Sequence, residues 1–387
     1  MKATLLATYL CLCVLALHAK AADQPYAVDR DGKRPIPVVT AHDHCAWPNL
    51  KVLQDGRTLA AFIFNNASHG SRPGDIECWL SGDGGATWKL ASAVTQHEPE
   101  TIRMNHAAGL AANGDILVLT SGWSDRWPAD VPKTRGRFRY AVLGPWLSRS
   151  PDGGLSWWVE KDAFPQNTPA GRPAVPFGDV EKAANGDLCV SVYSTQNPWE
   201  KYEDRKFRSY LYRSRDDGKT WGEPVVIGPD SNETNILHVG DGRWLACARA
   251  GTGVEGKDYM ELFASEDDGR SWTKRQALTG FQRVNGHLLK LKDGRVLFCY
   301  GDRASDPGSK GLEATISADK GETWSEPVRL IDWNGRDGGY PSSAQRADGQ
   351  IVTAYYASAL SDQPGDSMKG YHMAVIVWDA AKSFPGL

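Results

Sequence analysis

The sequence predicts an all-β fold, a six-bladed β-propeller, from two repeats that run along nearly the whole chain. The first is a box, Ser-x-Asp-x-Gly-x-Thr/Ser-Trp, which occurs five times. The second is an Asp-Gly or Asn-Gly dipeptide between apolar runs, which occurs six times and is a strong hairpin signal. Imperfect copies of one motif at regular spacing indicate a repeat architecture. The boxes occupy residues 81–88, 150–157, 214–221, 265–272 and 317–324.

Each repeat unit has the strand content of one propeller blade. The hairpin dipeptides follow one another at intervals of 52 to 72 residues, and each of the first five precedes the Asp of a box by 26 to 39 residues. The unit is therefore a hairpin, a third strand, a box turn and a fourth strand, and four-stranded units of this kind form propellers. The sixth unit lacks a box, so residues 372–378 are expected to supply its third strand and residues 35–40 its outer strand.

The residue types of the box suit a tight turn between two strands. The Asp side chain can accept hydrogen bonds from backbone N–H groups further along the turn. The Gly supplies a backbone conformation that a Cβ would oppose, and the Trp offers a large apolar surface for packing. We therefore expect the boxes to be scaffold rather than functional site.

The N-terminal segment, residues 1–21, has the pattern of a signal peptide. Lys2 is followed by an apolar core over residues 3–17 and by Ala19-Lys20-Ala21, a small-x-small cleavage site. The core is too short to span a bilayer comfortably. Residues 22–387 are expected to form one domain of an exported protein, periplasmic or secreted, that has no membrane partner after processing.

The overall composition argues against nucleic acid as a partner. The chain has 44 basic and 47 acidic residues, a net charge of −3, and no run of like charges. Five cysteines follow the signal segment without a paired spacing, so we expect small buried thiols rather than a disulfide framework. We predict no metal site, no cofactor and a monomeric protein.

The hairpin repeat predicts where a functional site lies. The residue eight positions before each hairpin turn lies on the innermost strand of its blade, at the end away from the turn. The side chains of these six residues should therefore converge near the propeller axis. Residues that flank a hairpin turn at equal spacing face each other, so Arg249 should face Glu233. The position is occupied by Trp47, Asn105, Phe177, Glu233, Asn285 and Tyr340.

At these residues the sequence resembles the sialidase (neuraminidase) superfamily of Asp-box, or BNR-repeat, enzymes. The segment SNETNILHVGDGRWLACAR is similar to the family's stretch with a catalytic Glu, here Glu233, and the second arginine of its triad, here Arg249. Arg303 resembles the third arginine, and Tyr340 resembles the nucleophilic tyrosine. The resemblance implies an exo-glycosidase that removes a terminal, anionic sugar such as sialic acid from a glycan. It also implies that Glu233 is the base and that both arginines hold the sugar carboxylate.

Two departures from the family pattern affect the substrate and the general acid. Ala46, in Cys-Ala-Trp-Pro, stands where the family has its first arginine. In the loop NNASHGSRPGD, both Asp75 and His69 are candidates for the acid that protonates the leaving oxygen. The fold prediction survives both departures, whereas sialic acid as the substrate does not follow from them.

Other polar residues near the same end of the hairpins are candidate substrate ligands that could replace the missing arginine. They are His44, Arg103, Asn105, His106, Arg283 and His287.

Three functions stay open at this point. The first is the retaining exo-glycosidase with an anionic sugar, and the second is a related enzyme that uses His as acid or base on a different sugar. The third is a glycan-binding propeller without activity. Glu233 and Tyr340 favour the first function, while Ala46 with the histidines favours the second.

Overall fold

The computed structural model describes residues 24–66, 72–130, 132–133, 138, 140–195, 207–254, 257–304, 310–333, 337–358 and 371–387. Within them, the regular secondary structure is almost entirely β-strand. The first twelve strands are β1 (Val38–His42), β2 (Cys45–Val52), β3 (Leu59–Phe64), β4 (Ile76–Ser81), β5 (Lys89–Ala93), β6 (Thr101–Leu110), β7 (Ile116–Ser124), β8 (Ala141–Ser150), β9 (Trp158–Glu160), β10 (Ala174–Lys182), β11 (Leu188–Ser194) and β12 (Arg208–Ser214).

The second half of the chain continues the pattern and ends in one helical turn. Its elements are β13 (Gly222–Gly228), β14 (Ser231–Gly240), β15 (Arg243–Val254), β16 (Lys257–Ser265), β17 (Thr273–Ala277), β18 (Arg283–Lys290), β19 (Val296–Asp302), β20 (Lys310–Ser317), β21 (Val328–Trp333), β22 (Gly338–Gln345), β23 (Ile351–Ala357), β24 (His372–Trp378) and α1 (Ala380–Ser383). Within the described residues, no helix has the length and apolar character needed to cross a membrane.

The strands pair as four-stranded antiparallel units. Four units are separate sheets, and two are joined in an eight-stranded sheet by a parallel pairing of β6 with β10. Gly109 allows that close approach, because a Cβ there would lie 2.3 Å from the carbonyl oxygen of Val180. The innermost strands of the six units, β2, β6, β10, β14, β18 and β22, contact one another in cyclic order.

The two ends of the described chain meet in one sheet, which has the order β1-β24-β23-β22. Val38 on β1 is the register partner of Val375 on β24, in an antiparallel pair. The expectation that residues 372–378 supply the third strand and the N-terminal segment an outer strand is therefore confirmed. The outer strand covers residues 38–42, slightly later than the sequence predicted.

The boxes form the turns that their residue types predict. In the first box, Asp83 Oδ1 accepts hydrogen bonds from Ser81 Oγ at 2.8 Å and from Thr87 N at 2.9 Å. Thr87 Oγ1 also donates to Asp83 Oδ2, at 2.5 Å. This side-chain bond first, and then the others, lower the pKa of Asp83 to about 2. Gly85 has a φ of +98°, a conformation that favours glycine.

The boxes lie at the end of the units that carries the Asp-Gly turns. The carboxylate of Asp217, in the third box, accepts a hydrogen bond from Ala112 N in the neighbouring hairpin turn at 2.5 Å. Arg346, beside the last hairpin turn, donates to Gly84 O of the first box. The boxes thus stabilise the contacts between neighbouring units, at the end away from Tyr340.

The core consists of apolar clusters along and between the sheets. Trp244, Trp333 and Trp378 are fully buried in it. All five described cysteines are buried, as expected for small apolar residues: Cys45, Cys78, Cys189, Cys247 and Cys299.

A buried ion pair crosses the axis between the innermost strands. Lys51 Nζ on β2 lies 2.5 Å from Asp179 Oδ1 on β10, and His287 Nε2 on β18 lies 3.0 Å from Asp179 Oδ2. Burial alone would raise the pKa of Asp179, but the charge of Lys51 and the contact with His287 outweigh it and hold this pKa well below its ordinary value. The pair therefore links three of the six units through one carboxylate.

We expect Asp179→Asn to lower the free energy of unfolding by about 3–5 kcal/mol, because it removes the carboxylate that forms the ion pair with Lys51 in a buried place. A depressed pKa contributes stability that is present above the unfolded-state value, about 3.9, and is lost as the pH falls through the folded-state value. The variant should therefore lose less stability than the wild type on acidification. Urea unfolding at pH 7 and pH 3 measures both effects.

The matched control for this prediction is the double variant Lys51→Met/Asp179→Leu. It removes both charges and should be more stable than Asp179→Asn, since apolar replacements of a buried pair are often neutral. Equal stability of Asp179→Asn and the wild type at pH 7 would contradict the stabilising role of this pair.

Candidate active site

The position eight residues before each hairpin turn has an unusual backbone in three units. Trp47, Asn285 and Tyr340 have φ values of 57°, 64° and 52°. In each case the register between the first two strands shifts around that residue. Such bulges re-aim side chains, and left-handed conformations of non-glycine residues occur preferentially at functional sites. At these three residues the unusual backbone therefore lies at the end of the units where the sequence predicts a site.

Tyr340, Glu233 and Arg249 form one hydrogen-bonded group at this end. Tyr340 Oη donates to Glu233 Oε1 at 2.7 Å, across 107 positions of sequence. Arg249 Nη1 donates to Glu233 Oε2 at 2.8 Å and to Tyr340 Oη at 3.4 Å. Glu233 and Tyr340 are each 7% exposed. The phenol and the carboxylate are thus held in one geometry with little water around them.

The surroundings of Tyr340 keep its hydroxyl protonated at rest. Burial is the largest cause that raises its pKa above the ordinary value, and the negative charge of Glu233 adds to it. The charges of Arg249 and Arg303 act in the opposite direction without cancelling the rise. Loss of the proton is therefore unfavourable at rest, and Glu233 Oε1, which accepts the hydrogen bond, is the acceptor in place to take it up.

Aromatic rings from three units hold the Tyr340 ring. The ring centroids of Trp47, Phe177 and Tyr356 lie 5.7, 6.0 and 5.7 Å from its own. Trp47 and Phe177 meet it edge-on, an arrangement that aromatic pairs prefer. This packing fixes the direction of the hydroxyl group.

Arg303 lies over the same tyrosine. Its guanidinium carbon is 5.4 Å from the centroid of the Tyr340 ring. Nε and Nη2 donate to Gly338 O at 3.0 and 2.8 Å, and Nη2 is also 2.8 Å from Asp337 Oδ1. Asp337 Oδ2 in turn accepts from Tyr356 Oη at 2.9 Å. The arginine is therefore anchored through protein acceptors.

Arg249 is anchored in a similar way by Asp258 on β16. Nε and Nη2 of Arg249 donate to Asp258 Oδ1 and Oδ2 at 2.8 and 2.9 Å, a bidentate pair. Asn285 Oδ1 accepts from Arg249 Nη1 at 3.2 Å. Burial lowers the pKa of Arg249, but the negative charges of Glu233 and Asp258 raise it by more than burial lowers it. The guanidinium group therefore stays charged.

A small cavity of about 20 Å³ lies on the axis, on the hairpin-turn side of Tyr340. That volume holds about one water molecule rather than a sugar. The cavity is lined by Asn49, His106, Asn285 and His287 among others. Burial lowers the pKa of His106 to about 4, so this imidazole is neutral at pH 7. The end of the units on the other side of Tyr340, away from the hairpin turns, is the mouth.

Two of the predicted substrate ligands have partners in the outer parts of their units. His44 Nε2 lies 2.7 Å from Glu77 Oε2. The Arg103 guanidinium stacks on the Trp146 ring at 3.4 Å and donates to Gly144 O at 2.9 Å. Substrate contact for these two side chains stays a prediction.

Arg283 and His287 also have protein partners. Arg283 Nε lies 3.4 Å from Glu313 Oε2, on the third strand of the same unit. His287 belongs to the buried pair with Asp179. Asn105, like His106, is buried on the innermost strand β6. Their contact with a ligand likewise stays a prediction.

Of the two candidate acids, only Asp75 is among the described residues. Asp75 Oδ1 accepts from Thr95 Oγ1 at 2.8 Å, and Oδ2 lies 2.6 Å from His97 Nδ1. Asp75 is 9% exposed. His69 lies outside the described residues.

The sequence did not single out Asp258 and Asp337. Asp258, at the start of β16, follows Arg249 by nine residues, and Asp337, directly before β22, precedes Tyr340 by three. A search for carboxylates close in sequence to Arg249 and Tyr340 could have found them. Their pairing with a particular arginine depends on the course of the connections, which the sequence repeat does not specify.

Comparison with known proteins gives a family match over most of the chain. A sequence model described as a BNR repeat-like domain matches residues 37–353. A curated relative, a sialidase of Bacteroides fragilis (strain YCH46), is 26% identical over 207 residues. That match covers 46% of this chain and 37% of the relative, so the aligned part is little more than a third of the relative's length.

Solved structures share the fold over nine tenths of the chain. A protein of unknown function from Dyadobacter fermentans is 23% identical with a TM-score of 0.72, covering 90% of this chain and 98% of that one. A Hadza microbial sialidase is 18% identical with a TM-score of 0.63, covering 89% and 66%. An alpha-L-arabinanase of Penicillium chrysogenum, complexed with arabinobiose, is 17% identical with a TM-score of 0.57, covering 90% and 99%. At these identities the likeness shows the shared all-β, propeller-like fold alone.

Proposed function

Since the chain belongs to the BNR repeat-like domain family, we propose that it is a retaining glycoside hydrolase that removes a terminal sugar from a glycan. The observation that carries the proposal is the buried hydrogen bond from Tyr340 Oη to Glu233 Oε1, at 2.7 Å, in the mouth of the fold. Activated nucleophiles in enzymes generally lie within hydrogen-bond distance of a base, and a third group orients that base. Arg249 is that third group, since it donates to Glu233 Oε2.

The proposed reaction has two steps. In the first, Tyr340 Oη attacks the anomeric carbon while its proton passes to Glu233 Oε1. The bond from that carbon to the leaving oxygen breaks, and an acid, Asp75 or His69, protonates this oxygen. In the second, the deprotonated acid takes a proton from water, whose oxygen attacks the anomeric carbon. The bond to Tyr340 breaks, and Glu233 returns the proton to the phenolate. Two displacements at one carbon retain its configuration.

We propose further that the six four-stranded units are the blades of a closed six-bladed propeller. The cyclic contacts of the innermost strands support this arrangement. So does the sheet that joins β1 to β24, because it ties the N-terminal segment to the last unit. Closure would bring Glu233 of the fourth blade and Tyr340 of the sixth to one axis.

Two classes of sugar are candidates for the substrate. An anionic sugar such as sialic acid is supported by the likeness to sialidases and by the presence of Arg249 and Arg303. A neutral sugar is favoured by Ala46 at the place of the family's first arginine and by the likeness to an arabinanase. The proposed reaction of either class of sugar uses the same Tyr340–Glu233 pair.

The proposed function is tested by hydrolysis of aryl glycosides of sialic acid, uronic acids and neutral sugars, each in both anomeric forms. We expect at least one to be turned over, and proton NMR of the first product to show the configuration of the substrate. Tyr340→Phe, purified in parallel, is the control against contaminating glycosidases. A folded protein that turns over none of them, or whose product is inverted, would contradict the proposal.

We propose that the protein is exported and that residues 1–21 are removed. Expression in a bacterial host should give a mature chain that begins near Ala22, because the cleavage pattern ends at Ala21. Mass spectrometry of the intact protein from the periplasm or medium measures this. Exported protein that retains Met1 would contradict processing and indicate an N-terminal anchor instead.

A further inference from the structure

Both arginines at the mouth are already bound by carboxylates of the protein itself. Arg249 is held by Asp258 and Glu233, and Arg303 by Asp337. From these ion pairs we infer that the site selects an uncharged terminal sugar and that Asp258 and Asp337 determine this selectivity. The inference rests on the proposed function for the location of the sugar, and it assigns the substrate class.

The donor edges of Arg249 leave little room for a second carboxylate. A carboxylate binds a guanidinium best through two parallel N–H bonds along one edge. The edge with Nε and Nη2 is taken by Asp258 at 2.8 and 2.9 Å. On the other edge, formed by Nη1 and Nη2, Nη1 already donates to Glu233 Oε2 at 2.8 Å. A sugar carboxylate would have to displace one of these groups.

Arg303 is restricted along one edge. Its Nε and Nη2 both donate to Gly338 O, and Nη2 also contacts Asp337 Oδ1 at 2.8 Å. Asp337 is itself fixed by the hydroxyl of Tyr356. Bidentate binding of a sugar carboxylate along that edge would therefore break several contacts, one of them an ion pair.

The formal charge of the group also opposes an anion. Two guanidinium groups face three carboxylates, Glu233, Asp258 and Asp337, so the group carries one net negative charge when Tyr340 is neutral. The Glu233 and Arg249 side chains are 9% and 12% exposed, so solvent screens this charge weakly. Like charges at short range in such a place repel strongly. An anionic sugar would add a second negative charge.

A neutral sugar meets the opposite situation. The side chains of Asp258 and Asp337 are 22% and 24% exposed, so part of each carboxylate faces solvent. Ionised carboxylates only accept hydrogen bonds, and sugar hydroxyls can donate them. Hydroxyl groups can therefore bind at these two carboxylates without breaking either ion pair with arginine.

Binding measured apart from turnover tests the inference. Saturation-transfer NMR titrations would compare methyl galactoside with methyl galacturonide and methyl glucoside with methyl glucuronide, in both anomeric forms, with methyl α-sialoside as a further anion. Within each pair only the carboxylate differs. We expect at least one neutral member to bind wild-type protein about tenfold or more tightly than its anionic counterpart, and no anionic ligand to bind more tightly than the neutral ones.

Two isosteric variants test the assigned residues. Asp258→Asn and Asp337→Asn each remove one negative charge, so each should lower the neutral-over-anionic ratio of affinities about tenfold. Asp348→Asn makes the same change at the last hairpin turn, at the other end of the fold, and should leave the ratio unchanged. Thermal unfolding of every variant checks that it is folded, and having two independent variants keeps the test informative if one of them is unstable.

The outcomes separate the inference from the proposed function. Tighter binding of an anionic ligand, an unchanged ratio in both folded variants, or no binding of any ligand would overturn the inference. Selective binding of a neutral glycoside that depends on Asp258 and Asp337 would support it. If the hydrolysis screen then gave no turnover, the selectivity would stand and the proposed catalysis would fall.

Discussion

Tyr340→Phe is expected to lower kcat about a thousandfold or more on any glycoside that the wild type cleaves. The substitution removes only the oxygen that attacks the anomeric carbon, and loss of a nucleophile has effects of this size or greater. KM should change little, because the ring keeps its contacts with Trp47, Phe177 and Tyr356. Steady-state kinetics with the best substrate of the screen measures both constants.

The same substitution should affect stability only modestly. It removes one hydrogen bond to the charged Glu233, and such a bond contributes about 1.5–3 kcal/mol. Tyr210→Phe is the matched control, because Tyr210 lies buried on β12, within the third unit and outside the group around Tyr340. Activity of Tyr340→Phe within a few-fold of the wild type would contradict a tyrosine nucleophile. Loss of activity in His69→Ala or His106→Ala would then support the histidine-based alternative.

Glu233→Gln is expected to lower kcat about 10²- to 10⁴-fold, the range that general bases contribute. The amide keeps the size of the side chain, but it cannot take the proton of Tyr340. Arg249 also loses one charged partner while keeping Asp258, so the local structure should persist. Measurement of kcat and of the far-ultraviolet circular dichroism spectrum separates the loss of chemistry from a loss of folding.

The double variant decides whether Glu233 and Tyr340 act in one step. If Glu233 serves to deprotonate Tyr340, then adding Glu233→Gln to Tyr340→Phe should cost almost nothing more, since residues that act as a unit are not additive. The corresponding cycle with Asp75→Asn should show an additional loss if Asp75 is the acid, because protonation of the leaving oxygen is a separate contribution. Full additivity of Glu233→Gln and Tyr340→Phe would contradict the proposed proton transfer.

Local features of the fold were predictable because their causes are local. In the first box, Asp83 binds Ser81 and Thr87 within seven residues, so the motif alone specifies the turn. The Asp-Gly turns set the register of each hairpin, which places Glu233 and Arg249 on facing strands. The site residues that share one hairpin were therefore predictable together.

Contacts between units were only partly predictable. The repeat places Glu233 and Tyr340 at equivalent positions, but the hydrogen bond between them spans 107 positions and depends on how the units are arranged around the axis. His44, Arg103 and Arg283 occupy similar positions in the sequence, yet their side chains bind Glu77, Trp146 and Glu313 instead. Residues at equivalent positions of a repeat lie at the same level along their strands, but β-bulges determine the direction in which their side chains point.

The sequence by itself determined the repeat, the all-β class, the turns formed by the boxes and the pairing of Glu233 with Arg249. Only the tertiary structure decided which carboxylates neutralise the arginines. Asp258 lies on β16, beside Arg249 on β15 of the same unit, whereas Asp337 precedes β22 and pairs with Arg303 of the preceding unit. No turn motif specifies either pairing. Charge balance in a buried site depends on distances between residues from several units, and a one-dimensional pattern does not contain those distances.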